Sequence, residues 1–351
     1  MSRINKTLRS KTFYALILAV ITFLLTRIGM FNPHFIETYY SNGMYPIIAK
    51  VLSFFSNWVL FSLDDLFYAG LITLLIISVF SLLFRKIRLK SFIKLIIATV
   101  AAIYSSFYLF WGFNYYREDI NQRLDLPDAK PDVEELMSVF EWLVEETNKS
   151  YTPIYTIDKG EIQQSVQEAY LKEAYFLKID TSLLAIQPKE ISLSRFFAAA
   201  TISGYYGPFF SEVHINQYLL PMDYPMVFAH EMAHRLGITS EAEANFYAWL
   251  VGTQSNDKQL VYSANLYLLH YFVYATYKYP QFKDIVRGIR YEVRFDYYKS
   301  NYHWLALMDA DIEMVATKMN DAYLKTNNIE EGIEDYEGVI KFVMDYKMNF
   351  E

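Results

Sequence analysis

The chain has 351 residues, of which 53% are hydrophobic, 18% aromatic and only 20% charged. That balance is too apolar for an ordinary soluble enzyme and calls for membrane-spanning helices. The absence of cysteine excludes disulfides, cysteine-ligated zinc and thiol catalysis, and a formal net charge of -7 without a basic stripe argues against nucleic acid as a partner.

The apolar residues concentrate towards the N-terminus. Uncharged runs from Thr12 to Thr26, Leu66 to Phe84 and Leu95 to Phe113 predict three spans, over about 12–31, 66–84 and 95–113. Arg27 can snorkel to the interface near the end of the first. No small-residue cleavage site follows that run, so it reads as an uncleaved span rather than a signal peptide. Met44 to Phe61 is interrupted by Pro46, Lys50 and Asn57 and is expected to lie in the interface as an amphipathic helix. Arg3, Lys6, Arg9 and Lys11 in the tail, and Arg85, Lys86, Arg88 and Lys90 between the second and third spans, are expected on the cytoplasmic side. The chain then divides into a membrane region, 1–116, and an extracytoplasmic domain, 117–351, on a multi-pass protein of the cell (inner) membrane.

In that domain Asp125 to Asp132, with Pro127 and Pro131, reads as a linker. Asp132 is placed to cap a helix whose residues Val133, Leu136, Met137, Phe140, Leu143 and Val144 repeat with helical period. Gly160 to Leu177 predicts another helix. Ile191 to Asn216 is the least helical stretch: Gly204 and Gly207-Pro208 mark turns, and Phe209 to Asn216 predicts a short strand beside the next helix. Such an edge strand can accept an extended peptide as an added strand, or it can simply pack the domain. His214 on it reads as a packed or surface histidine rather than a ligand.

Val227 to Asn245, VFAHEMAHRLGITSEAEAN, carries the chemistry. Asp223 is a plausible N-cap and Pro225 sits in the first turn of a helix free of breakers to Leu236. His230 and His234, four residues apart, leave one helix face one turn apart, the spacing two ligands of a tetrahedral zinc require. Glu231 is placed to hydrogen-bond a water held by the metal rather than to ligate it. Gly237 can take the left-handed conformation that ends the helix. Ser240 can cap the next one, with Glu243 completing a capping box. Glu241 in that first turn could then supply the third ligand, with Glu243 the alternative, and Asn245 one turn on could orient a ligand.

Downstream, helices are expected over Lys258 to Thr276, within Tyr291 to Leu324 (one or two) and over Tyr336 to Met348. His303, Tyr298 and Tyr262 are candidate donors to a transition state, and the spacing singles out none of them. The fold class is therefore mainly α: a three-helix transmembrane region, then a mostly helical domain with a small β element.

The site resembles the gluzincin metallopeptidases, in which H-E-x-x-H is followed by a glutamate in an E-x-x-A-D-like motif. Here that motif reads Glu241-Ala242-Glu243-Ala244-Asn245, with Asn for the usual Asp and a shorter linker from His234. Over nearly its whole length the chain resembles the bacterial DUF3810 family. The features that carry this are the three spans, the G-x-x-x-P-F-like Gly204 to Phe209, HEMAH-RLG-ITSEAEANF, and the terminal YLKTNN and EGIEDYEGVIKFV segments. The resemblance implies a membrane-anchored, zincin-like domain: His230, His234 and Glu241 on Zn2+, Glu231 as general base, and a peptide or protein substrate. Two other readings use the same residues, an inactive scaffold with a structural zinc and a zinc hydrolase of a non-peptide envelope amide.

Overall fold

The computed structural model describes residues 2–129 and 132–350. The chain is mainly α and divides into two compact units, Met1–Arg117 with Gly207–Glu212, and Glu118–Tyr206 with Val213–Glu351. Residues 130–131 of the expected linker lie outside the described residues.

In the first unit, helix α1 is Ser2–Phe31, α2 Tyr45–Ser56, α3 Leu63–Leu83 and α4 Leu89–Phe110. Three segments, Lys11–Phe31, Leu63–Leu83 and Leu89–Phe110, are long and apolar enough to cross a membrane. Along α3, Leu75, Ile76, Ile77 and Phe80 are exposed, a surface that water disfavours and lipid does not. The third apolar helix starts earlier than the uncharged run, because Lys90 and Lys94 fall within its first two turns and their long aliphatic stems can lie along an apolar helix. The stretch expected as one helix over 44–61 is helical only to Ser56: Met44 ends a π-helical segment, Ile36–Met44, Tyr45–Ser56 is α2, and residues 57–61 are non-helical. Pro46 does not break α2 because it lies in its first turn, where its missing N–H is not needed. One face of α2 is buried through Tyr45, Ala49, Ser53 and Ser56, while Ile47, Val51, Phe54 and Phe55 are exposed. Arg117 closes the unit with a bidentate bond to Glu37, at 2.8 and 2.7 Å, both side chains nearly buried.

In the second unit, α5 (Val133–Ser150) opens on a complete capping box: Glu135 N–H donates to Asp132 at 2.9 Å and Asp132 N–H to Glu135 at 2.8 Å. Helix α6, Lys159–Lys172, is capped by Asp158 and stops short of the expected Leu177. Strands β1 (Lys189–Glu190), β2 (Gly204–Gly207) and β3 (Glu212–Ile215) form a sheet in the order β1-β3-β2, with β1 parallel to β3. The expected edge strand over 209–216 is therefore shorter and central, with all four residues buried. The Lys-Glu pair of β1 carries no strand signal and still pairs along one side of β3, so β1 and β2 are the two edges of the sheet.

The remaining helices are α7 (Tyr224–Arg235), α8 (Glu241–Thr253), α9 (Lys258–Thr276), α10 (Tyr291–Leu307), α11 (Ala310–Thr326) and α12 (Val339–Phe350). The last starts at Val339 rather than 336 because Gly332–Gly338 winds as a 3-10 turn. Helices α7, α8 and α9 pack on one another and α5 packs on α9. The core between them holds Phe228, Phe246, Tyr247, Leu250, Leu269, Phe272, Phe140 and Leu143. Every residue of α7 is buried, so its polar residues His230, Glu231, His234 and Arg235 face the interior of the protein rather than water.

Asp223 does not cap α7 with its side chain. Its backbone is already helical, and its carboxylate accepts from Ser300 Oγ at 2.9 Å. Burial raises its pKa from 3.8 to about 6, against the lowering effect of Ser300. A carboxyl whose folded pKa is raised binds more protons folded than unfolded between these values, so stability falls as pH rises through that window. Asp223→Asn removes this burden and should stabilise the protein by up to about 2–3 kcal/mol at pH 7 and by well under about 1 kcal/mol near pH 4. Thermal unfolding of both forms at the two pH values measures it, and equal stability at pH 7 would refute it.

Candidate metal centre

Helix α7 ends in a left-handed turn at Gly237, φ 84°. There Gly237 N–H donates to His234 O at 3.0 Å and Ile238 N–H to Ala233 O at 3.1 Å, the paired bonds of a Schellman motif. This reversal aims the first turn of α8 back at the face carrying the histidines. It also places Ile238 O 2.7 Å from His234 Nδ1, which must donate to that carbonyl and so presents Nε2 inwards. On the other side of α7, the Tyr170 hydroxyl donates to Ala229 O at 2.8 Å and Arg235 Nε to Leu183 O at 2.8 Å, bracing the helix.

Three ligand atoms converge. His230 Nε2 and His234 Nε2 are 3.0 Å apart, and Glu241 Oε2 lies 3.1 Å from the first and 3.4 Å from the second. One face of a tetrahedral zinc site with bonds of about 2.0–2.1 Å has edges of roughly 3.3 Å, so the triangle has the size such an ion needs. Two imidazole lone pairs directed at each other at this range repel unless a cation or a proton lies between them. Burial disfavours charge on His234, but the Glu241 carboxylate beside it outweighs this and pushes its pKa up to about 9. Burial would raise Glu241, yet the two histidines win and hold it well below the ordinary carboxylate range. The trio thus already supports positive charge at its centre.

Glu231 points to the same region without joining the trio. Burial raises its pKa from 4.5 to about 7, partly offset by His230 and His234. Its Oε2 is buried with no hydrogen-bond partner. Gly204, at the start of edge strand β2, lies so near that a Cβ there would be 2.7 Å from Glu231 Oε1 and 2.9 Å from His214 O. No other residue fits between the strand and this carboxylate.

Glu243, the alternative ligand, is committed elsewhere. Its Oε2 forms a very short ion pair with the buried Arg123, whose Nη1 also reaches the Tyr247 hydroxyl at 3.1 Å. Ser240 still caps α8 by accepting from Glu243 N–H at 3.2 Å, while the Glu243 carboxylate takes the guanidinium. Arg123 lies 120 residues upstream, and nothing in the local pattern announces it. Arg123→Met strands a buried carboxylate and should cost about 3–5 kcal/mol, much of it recovered by adding Glu243→Gln. Chemical unfolding of the three proteins tests this, and a loss below about 1 kcal/mol in the single variant would refute it.

Asn245 is fully buried, but its amide donates to the Tyr271 hydroxyl at 3.1 Å, and neither its Oδ1 nor His230 Nδ1 has a hydrogen-bond partner. The expected bond from Asn245 to a ligand is not formed. His214 stays outside the trio and stacks on Tyr205 at 4.3 Å. Of the candidate donors, Tyr262 donates to Asp296 at 2.9 Å and His303 Nε2 lies 2.6 Å from Tyr218 O. Tyr298 lines an open hollow with Tyr302 and Leu305 in which none of the trio takes part.

Residues 40–344 match the family model described as Protein of unknown function (DUF3810), a span that contains the second to fourth helices and every residue of the centre. The chain belongs to the DUF3810 family. No curated protein and no solved structure matches this DUF3810 member. Its centre therefore has to be read from its own residues.

Proposed function

We propose that this DUF3810 protein is a membrane-anchored, zinc-dependent metallopeptidase that hydrolyses peptide bonds with Glu231 as general base. The observation that carries the reading is the triangle of His230, His234 and Glu241 atoms, 3.0, 3.1 and 3.4 Å on its edges, beside a buried carboxylate outside it. A zinc ion held by these three residues supplies Lewis acidity and lowers the pKa of water next to it. Glu231, raised towards neutrality by burial, is suited to accept a proton from the attacking water and to return it to the leaving amine. Strand β2 lies at one edge of the sheet, and its Gly204 abuts Glu231, so an extended peptide added along β2 would bring its backbone towards the base. A purely structural zinc would not call for an ionisable group buried at position 231 whose Oε2 has no hydrogen-bond partner.

Basic residues in the tail and in the 85–90 loop favour a cytoplasmic N-terminus, so the centre would act outside the cell membrane. The test is metal content of the detergent-solubilised protein together with cleavage of a mixed peptide library read by mass spectrometry. About one zinc per chain with defined cleavage products supports the proposal. Stoichiometric zinc with no peptide cleaved would move the assignment to a non-peptide amide, and no metal would remove it.

A further inference from the structure

The first turn of α8 leaves three backbone N–H groups needing acceptors. Ser240 meets only the third, from Glu243. The first two go to Asp335, 94 residues downstream in the 3-10 turn Gly332–Gly338: Glu241 N–H reaches its Oδ2 at 2.7 Å and Ala242 N–H at 3.2 Å. Ser240 Oγ donates to the same carboxylate at 2.9 and 3.1 Å. The segment is held in place from both ends. Ile333 N–H donates to Asp321 at 3.3 Å, and Phe246 of α8 packs against Phe342 and Tyr346 of α12 at 6.2 and 6.0 Å.

A cap alone does not require this carboxylate, since Ser240 is already an N-cap of the preferred kind. Asp335 also has a cost: it brings a second, partly buried carboxylate next to Glu241, and burial raises its pKa. What distinguishes it is the group it grips, the backbone N–H of Glu241 itself, through a charge-assisted bond at the positive end of the helix. With that backbone fixed, the Glu241 side chain spans to both imidazoles. We propose that Asp335 is a positioning residue that sets Glu241 as third metal ligand, so that the C-terminal segment determines the affinity of the centre. This rests on the metal reading above.

The test is zinc affinity of the full-length protein, by competition with a chromophoric chelator, for wild type, Asp335→Ala, Asp335→Asn and Ser240→Ala, with thermal unfolding of each metal-free form. Asp335→Ala should bind zinc roughly 10- to 100-fold more weakly, the range for losing a group that orients a ligand. Asp335→Asn, which keeps an acceptor oxygen, should stay much closer to wild type even if Asp335→Ala folds poorly. Ser240→Ala removes the capping bond to Glu243 and its own bond to Asp335 but leaves Asp335 on the backbone of Glu241, and should weaken zinc binding much less than Asp335→Ala does. If Asp335→Ala binds zinc as wild type does, or if Ser240→Ala is weakened equally, Asp335 is only a helix cap and the proposal fails. If wild type binds no zinc while folded, the metal reading fails and takes this one with it.

Discussion

Glu231→Gln is expected to retain about one zinc per chain and to lose peptide hydrolysis by roughly 10²- to 10⁴-fold, the usual contribution of a positioned acid–base group. The argument is geometric. Glu231 is one residue from His230 but does not belong to the trio, so an isosteric amide leaves the three ligand atoms in place. It removes only the capacity to take a proton. In the metal-free protein the same change should raise stability. The folded pKa of Glu231 is raised from 4.5 to about 7, so the folded state holds the extra proton in that window and loses stability as pH rises through it. Gln removes a penalty of up to about 3 kcal/mol above pH 7. A variant that is more stable without metal, and inactive when loaded with it, would mark a residue kept for chemistry at the expense of folding. Undiminished cleavage by Glu231→Gln would end its assignment as the base.

His230→Ala is expected to abolish stoichiometric zinc. Only His234 and Glu241 would remain, and two ligands do not make the closed face that the triangle provides. The effect should appear in unfolding as well. At zinc one hundred times above its Kd, wild type gains about 2.7 kcal/mol of stability from binding, and the variant should gain none. Elemental analysis with unfolding in the presence and absence of zinc measures both. Wild-type zinc content in His230→Ala would show that the metal sits elsewhere.

Much of the site was legible in the sequence because its information is local. His230 and His234 four residues apart, Gly237 at a helix end and Ser240 before a helix are relations within one or two turns, and helical geometry converts each directly into position. The three apolar helices were legible for a similar reason: a long uncharged run has few alternatives to a buried or lipid-facing helix. The third began earlier than its uncharged run because the aliphatic stems of Lys90 and Lys94 can lie along an apolar helix. Asp223 illustrates the opposite case. Its position favours a cap, and tertiary contact with Ser300 redirected it.

By itself the sequence determined the mainly α class, the three apolar helices, and the two histidines with their neighbouring glutamate on one helix. It left open which glutamate completes the trio. Only the tertiary structure decided that, because Arg123 claims Glu243 while Asp335 holds the backbone of Glu241. Pairing across 120 and 94 residues leaves no periodic trace in a chain. The same holds for β3, central only because a two-residue strand pairs beside it, and for Gly204, whose lack of a side chain matters because Glu231 occupies the space. Local order follows from residue spacing; the choice among equivalent side chains follows from which partners folding brings within hydrogen-bonding distance.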